Sequence, residues 1–262
     1  MGKKTGLFVS NDGLSEYVYR KLAGNCEVYP FSFSPVDFVD SAVFSFGDMA
    51  GLLLHFKKTG INKLVFIGSI PPRFLFKNEM HVSGKKFLNE SGQPWHGERI
   101  LSDLIAYLAK ENIEVLPLTE VLCKELAEEK VYTDVPPDVS ELSDIKIGTA
   151  MLKDLMKYRA GQSAAVKNGM IVAVEGIEGT NEMIKRAGMY CGSKGFTVVK
   201  IAGGNKDERF DLPVIGTETA EALKSAGGNV IAVEAGRTVI LHKKETAAMC
   251  NESRIKLLGI RV

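Results

Sequence analysis

Three apolar runs in the second half of the chain end alike, in glycines mixed with acids and cations. Residues 171–174 leave through Glu175, Glu178, Gly179, Thr180 and Asn181. Residues 196–202 carry Lys200, cross Gly203 and Gly204, and deliver Lys206, Asp207, Arg209 and Asp211. Residues 230–233 leave through Glu234 and turn at Gly236 into Arg237. Glycines at such exits let backbone N–H groups come close to a ligand. The helix expected after Gly179 aims its unsatisfied donors and positive dipole end outward, which suits phosphate. Carboxylates interleaved with Lys and Arg suit a polyphosphate together with a divalent ion, the ion taking hard oxygen ligands. In "RFDLPVIG" (209–216) Arg209 and Asp211 share a stretch stiffened by Pro213. A carboxylate there can hold Mg2+ or orient water, and Arg209 can neutralise charge building on a phosphoryl group. Taken singly, each acid is more often a solvated strand end, and an exposed Arg–Asp pair contributes little. The repetition carries the expectation: three similar exits meet at one sheet edge, with Asp211, Glu178 and Glu234 as candidate metal ligands.

The elements around these exits read as two α/β halves. From 144 to 262 the order is a helix stopped by Gly161, a hairpin signalled by Asn168-Gly169, a helix capped at Thr180 and a strand. A helix capped at Thr217, two strands broken at Ala235-Gly236, a helix and a last strand follow. Antiparallel pairs mixed with crossover helices predict a mixed sheet. Residues 1–130 instead alternate strand and helix: 5–10, 14–24, 27–34, 47–60, 62–68, 97–112, 113–118 and a helix over 119–130. That rhythm predicts a Rossmann-like parallel sheet wrapped by helices, with ligands beyond the strands' carboxyl ends at Ser10, Asn11, Asp12, Gly13, Gly68 and Ser69. "SNDG" lacks the GxGxxG spacing, so NAD is not expected. The stretch 131–143, with Pro136-Pro137 and several acids, is the expected linker.

Bulk properties narrow the partners. The chain has 262 residues, 45% hydrophobic and 25% charged, with a formal net charge of +1, so no global field favours nucleic acid. No apolar run reaches bilayer length, and the start lacks a signal peptide's long apolar region. Cys26, Cys123, Cys191 and Cys250 are scattered without a CxxC pair, and the four histidines are equally dispersed. A reduced, cytoplasmic protein without zinc or disulfides is the expectation.

The segments "GQSAAVKNGMIVAVEGIEGTNEMIKRAG", "RFDLPVIG" and "IAVEAGRTVIL" closely resemble signature stretches of the LpxI-type UDP-2,3-diacylglucosamine diphosphatases. The likeness is dense from about 145 to 245 and weaker toward the N-terminus. It implies magnesium-dependent cleavage of a nucleotide-sugar lipid held in a ligand cleft between the two domains, giving UMP and 2,3-diacylglucosamine 1-phosphate in lipid A synthesis. Asp211 matches the aspartate the family needs for catalysis. Gln162 matches its "GQ"; Glu175, Glu178, Gly179 and Thr180 its "EGIEGT"; Glu234, Gly236 and Arg237 its "EAGRT". Four stretches depart from the pattern. "GGNKD" (203–207) replaces a loop like "KPGQD", leaving Lys206 as a displaced cation, and Asn181 stands for an acid. "SNDG" replaces "AGGG", and "IGSI" (67–70) replaces "AGKV". An acyl slot is expected at Pro71–Phe76, with peripheral contact at the inner membrane surface and a homodimer as further expectations. Two alternatives fit the departures: a non-catalytic protein that binds a sugar nucleotide or lipid precursor, and a hydrolase of another nucleotide-linked substrate.

Overall fold

The computed structural model describes residues 4–68, 81–91, 97–158, 161–203, 207–209 and 212–262. Contacts divide the chain into two units. One comprises Met1–Val121 with Asp207–Asp211; the other comprises Leu122–Lys206 with Leu212–Val262.

The first unit alternates β1 (Lys4–Phe8), α1 (Gly13–Ala23), β2 (Glu27–Ser32), β3 (Ala42–Val43), α2 (Met49–Thr59), β4 (Lys63–Phe66), α3 (Val82–Ser91), α4 (Gly97–Lys110), β5 (Glu114–Val115) and α5 (Leu118–Val121). Its sheet has the order β3-β2-β1-β4-β5, and every pairing is parallel. The order reverses between β1 and β4, the switch point at which doubly wound sheets hold ligands. Phe8, Phe31, Phe56, Leu64, Leu108 and Val115 fill the core, with Phe31 edge-on to Phe56 at 5.2 Å. Burying a side chain of this size stabilises by about 2–3 kcal/mol. Asp12 and Asp48 cap α1 and α2 through the backbone N–H groups of Ser15 and Gly51.

The second unit contains α6 (Val139–Leu155), a 3-10 turn at Met156–Tyr158, β6 (Ser163–Lys167), β7 (Met170–Val174), α7 (Thr180–Cys191), β8 (Thr197–Lys200), β9 (Val214–Ile215), α8 (Thr217–Ala226), β10 (Val230–Glu234), β11 (Val239–Ile240), α9 (Lys243–Glu252) and β12 (Lys256–Ile260). Its main sheet has the order β12-β10-β8-β6-β7, in which β6 runs against both neighbours and β10 is parallel to β8 and β12. The protein is therefore α/β, one sheet parallel and the other mixed. The β6–β7 turn is Asn168-Gly169, both at positive φ (50° and 78°), the backbone a two-residue hairpin needs. One face of the sheet packs Met183, Ile184, Phe196, Leu223 and Ile231; the other packs Ile145, Leu152, Val199 and Val230.

The segment between the units differs from the sequence expectation. The helix predicted over 119–130 stops at Val121, because tertiary pairing claims the following backbone. Ile240 N–H donates to the Glu125 carbonyl, and Ala127 N–H donates to that of Thr238. The predicted linker is likewise seated on the sheet: Val131 bridges Leu258, and Tyr132 N–H donates to the Leu257 carbonyl. Its second half already belongs to α6, which opens with a capping box between Asp138 and Glu141.

Candidate active site

In the second unit β7, β8 and β10 point the same way and β6 points the opposite way. The exits of β7, β8 and β10 and the entry of β6 therefore lie on one edge of the sheet. A buried polar network occupies its middle. Lys200, 5% exposed, directs its ammonium to Thr180 Oγ1 at 2.6 Å and Ser163 Oγ at 3.3 Å, and lies 3.9 Å from the Glu175 carboxylate. Glu175 in turn accepts the Thr180 hydroxyl at 3.0 Å and the Gln162 N–H at 3.2 Å. An ammonium has three donors, of which the Thr180 and Ser163 hydroxyls accept two. Gly161 is required beside them, since a Cβ there would stand 2.4 Å from the Glu175 carbonyl oxygen. The first turn of α7 rises from this network behind Gly179, which sits at φ 85° and supplies no side-chain cap.

The other two acids lie apart from it. Glu178 is held by Arg186 at 2.5 Å and by the Gly176 N–H at 3.0 Å. Its own backbone N–H, followed by the Arg186 guanidinium, holds its carboxyl below the usual carboxylate range. Glu234 accepts the N–H groups of Ala202 at 2.7 Å and Gly203 at 3.3 Å, and Arg237 lies 3.8 Å away. It thereby staples the β8 exit to the end of β10. The order β10-β8-β6-β7 separates the exits of β10 and β7 by three strand spacings, about 14 Å at roughly 4.8 Å each. Among the described residues no three His, Cys, Asp or Glu side chains group as a metal site. Asp211, the third predicted ligand, lies outside the described residues, as do Lys206, Ser69 and Pro71–Phe76.

The start of the "RFD" run groups with the first unit, whereas the sequence reading put it with the second. The reason is local. Glu208 accepts the Leu118 N–H at its carbonyl (2.8 Å) and the Thr119 hydroxyl at its carboxylate (2.9 Å), at the start of α5. Arg209 is gripped bidentately by Asp207, Nε at 2.8 Å and Nη2 at 2.6 Å. These hydrogen bonds from Arg209 hold the Asp207 carboxyl below the usual range and push the Arg209 pKa up.

Also in the first unit, Ser10, Asp12 and Gly68 come together beyond β1 and β4. Asp12 accepts the Ser15 N–H at 2.7 Å and hydrogen bonds from the hydroxyls of Ser10 and Ser15. Gly68 has φ 98°, and a Cβ on it would lie 2.2 Å from Ser10 Oγ. Gly13 is the first residue of α1.

Both halves of the chain match one family in its domain order. Residues 27–125 match the LpxI N-terminal domain, and residues 128–258 match the LpxI C-terminal domain. The chain belongs to the LpxI family. The UDP-2,3-diacylglucosamine pyrophosphatase LpxI of Caulobacter vibrioides is 25% identical over 170 residues, which is 62% of this chain and 61% of that protein. The match thus spans about three fifths of the relative's length.

Within this LpxI chain the structure brings Gln162, Glu175, Thr180 and Lys200 into one network and leaves Glu178 and the Glu234–Arg237 pair beside it. Asn181 follows Thr180 in the first turn of α7, and Gly236, at φ 76°, permits the turn after β10. Sequence reading missed Ser163, fully buried and directly across from Lys200 in the β6–β8 register. Only cross-strand pairing identifies it, since 37 positions separate the two residues.

Proposed function

We propose that this LpxI-family protein hydrolyses the diphosphate of UDP-2,3-diacylglucosamine. Water adds across one P–O–P bond, and UMP and 2,3-diacylglucosamine 1-phosphate leave. The family match over both halves and the activity for which the Caulobacter vibrioides relative is named support the substrate class. The observation that carries the reading is the buried Glu175–Thr180–Lys200 network at the carboxyl edge of the mixed sheet, in the segment matched to the C-terminal domain. It fixes the first turn of α7, whose backbone N–H groups then face a phosphate without reorganising. Asp211, assigned by resemblance, is the carboxylate proposed to act on the attacking water. Magnesium dependence belongs to the proposal as a property to be measured, with no step derived through the ion.

A second reading has its own support. Lys200, Arg186 and Arg209 are each already engaged by a carboxylate. A protein whose cations are so committed suits binding of a sugar nucleotide or lipid precursor without turnover. Action on another nucleotide-linked substrate fits the same residues. The test is UMP release from UDP-2,3-diacylglucosamine by the purified chain, with Mg2+ and with excess EDTA, beside Asp211→Ala. The hydrolase reading expects release that EDTA stops and that Asp211→Ala lowers at least a thousandfold while the melting temperature holds, a change of about 4 kcal/mol in barrier. Ligand stabilisation without any UMP would replace it with the binding reading.

A further inference from the structure

The segment that carries Asp211 is held at three described points, and the middle one belongs to the first unit. At its start Glu234 fixes the N–H groups of Ala202 and Gly203. At its end the Val239 N–H donates to the Pro213 carbonyl at 2.8 Å. Both of these anchors lie in the second unit, whereas Asp207, Glu208 and Arg209 group with the first.

Those three residues form a preshaped hook. Asp207 accepts the backbone N–H of Arg209 at 3.1 Å as well as its guanidinium, the local turn that an aspartate closes on its own backbone two residues on. Glu208, at the tip, bonds two adjacent residues of α5. Its carbonyl accepts the Leu118 N–H at 2.8 Å, and its carboxylate accepts the Thr119 hydroxyl at 2.9 Å. The receiving end is rigid. Leu118 is 3% exposed, and the Leu116 N–H donates to the Leu64 carbonyl at 2.8 Å, which extends the β4–β5 pairing almost to the start of α5. The hook therefore engages the first unit at the carboxyl edge of its parallel sheet, the ligand edge of doubly wound folds. It also satisfies one of the donors that a helix start leaves without an intrahelical partner.

Glu208 is exposed and Thr119 half-buried, and surface substitutions ordinarily change stability little. What their contact governs is placement. We propose that Thr119 and Glu208 are positioning residues for Asp211: they seat the hook on α5 and so set the geometry of the carboxylate three residues further on. A misplacement of about 1 Å can cost a reacting group about a hundredfold in rate, so a loosened hook is felt in turnover before it is felt in stability.

This role rests on the hydrolase reading above, and two measurements on the full chain separate their fates. The first is hydrogen exchange at the Leu118 amide, which the hook protects and which needs no substrate. The second is kcat and KM for UMP release from UDP-2,3-diacylglucosamine. Thr119→Ala and Glu208→Ala are expected to speed Leu118 exchange and to lower kcat about tenfold, the scale of one hydrogen bond to a charged acceptor. KM should stay within twofold and the melting temperature should hold, the pattern of lost transition-state placement rather than lost binding. Thr119→Ser and Glu208→Gln, which keep a hydroxyl and an acceptor oxygen, are expected to restore both readouts. Unchanged Leu118 exchange, faster exchange with kcat unmoved, or a fall in kcat that those two variants do not restore overturns the positioning role and leaves the hydrolase reading standing. A wild type that releases no UMP overturns both.

Discussion

Lys200 and Glu175 keep 6% and 12% of their side chains exposed, so each would be costly to bury alone. Removing one member of such a pair strands the other charge and costs about 3–5 kcal/mol, whereas replacing both with apolar groups is often nearly neutral. Lys200→Met is therefore expected to lower stability by about 3 kcal/mol, with part of the loss recovered in Lys200→Met/Glu175→Leu; urea denaturation of the three proteins measures this. Equal losses in single and double variants would mean that the pair is not coupled. Asp207 belongs to the same scale and has a definite sign in pH. Its folded carboxyl is depressed by the Arg209 hydrogen bonds. Its contribution is thus fully present above its unfolded pKa of about 3.9 and disappears as pH falls through the lower folded value. Asp207→Asn should be less stable than wild type at pH 6, and the gap should narrow as pH falls below the unfolded value of about 3.9. A constant gap across urea titrations at those pH values would sink this assignment.

At the scale of elements, helix α7 meets α8 through a glycine. A Cβ on Gly188 would lie 2.7 Å from the Ala226 carbonyl oxygen and 2.8 Å from its Cβ. Alanine gains about 1 kcal/mol of helix propensity at an ordinary helical site, but overpacking costs about 1–3 kcal/mol. Gly188→Ala is expected to destabilise by about 1 kcal/mol net, read as a lower urea midpoint at unchanged slope. A rise in midpoint would show that the helices separate freely. Legibility in sequence followed locality here. The β6–β7 hairpin could be read because Asn168-Gly169 itself adopts the needed positive φ. The end of α5 could not, because Glu125 and Ala127 answer to strand β11, more than a hundred residues away.

For the molecule as a whole, two cores built on two sheets predict two opening energies. Native-state hydrogen exchange in rising urea should merge amides of Leu7 and Val65 into one isotherm and those of Val199 and Ile231 into another. A single isotherm for all four would make the chain one cooperative unit, contrary to the expectation for 262 residues. No helix among the described residues is long and apolar enough to cross a membrane.

Order along the chain was enough to predict a parallel sheet followed by a mixed one, because strand and helix periodicities are properties of neighbouring residues. It was also enough to place Ser10–Gly13 and Gly68 at strand exits and to carry the family resemblance. Partner choice among the charged groups was decided only in three dimensions. Arg209 turned to Asp207, Lys200 turned inward to Ser163 and Thr180, and Glu234 closed on the β8 exit. The physical reason is that a hydrogen bond depends on which strands lie side by side. The order β12-β10-β8-β6-β7 arises from burial of whole apolar faces, to which the spacing of the acids along the chain contributes nothing.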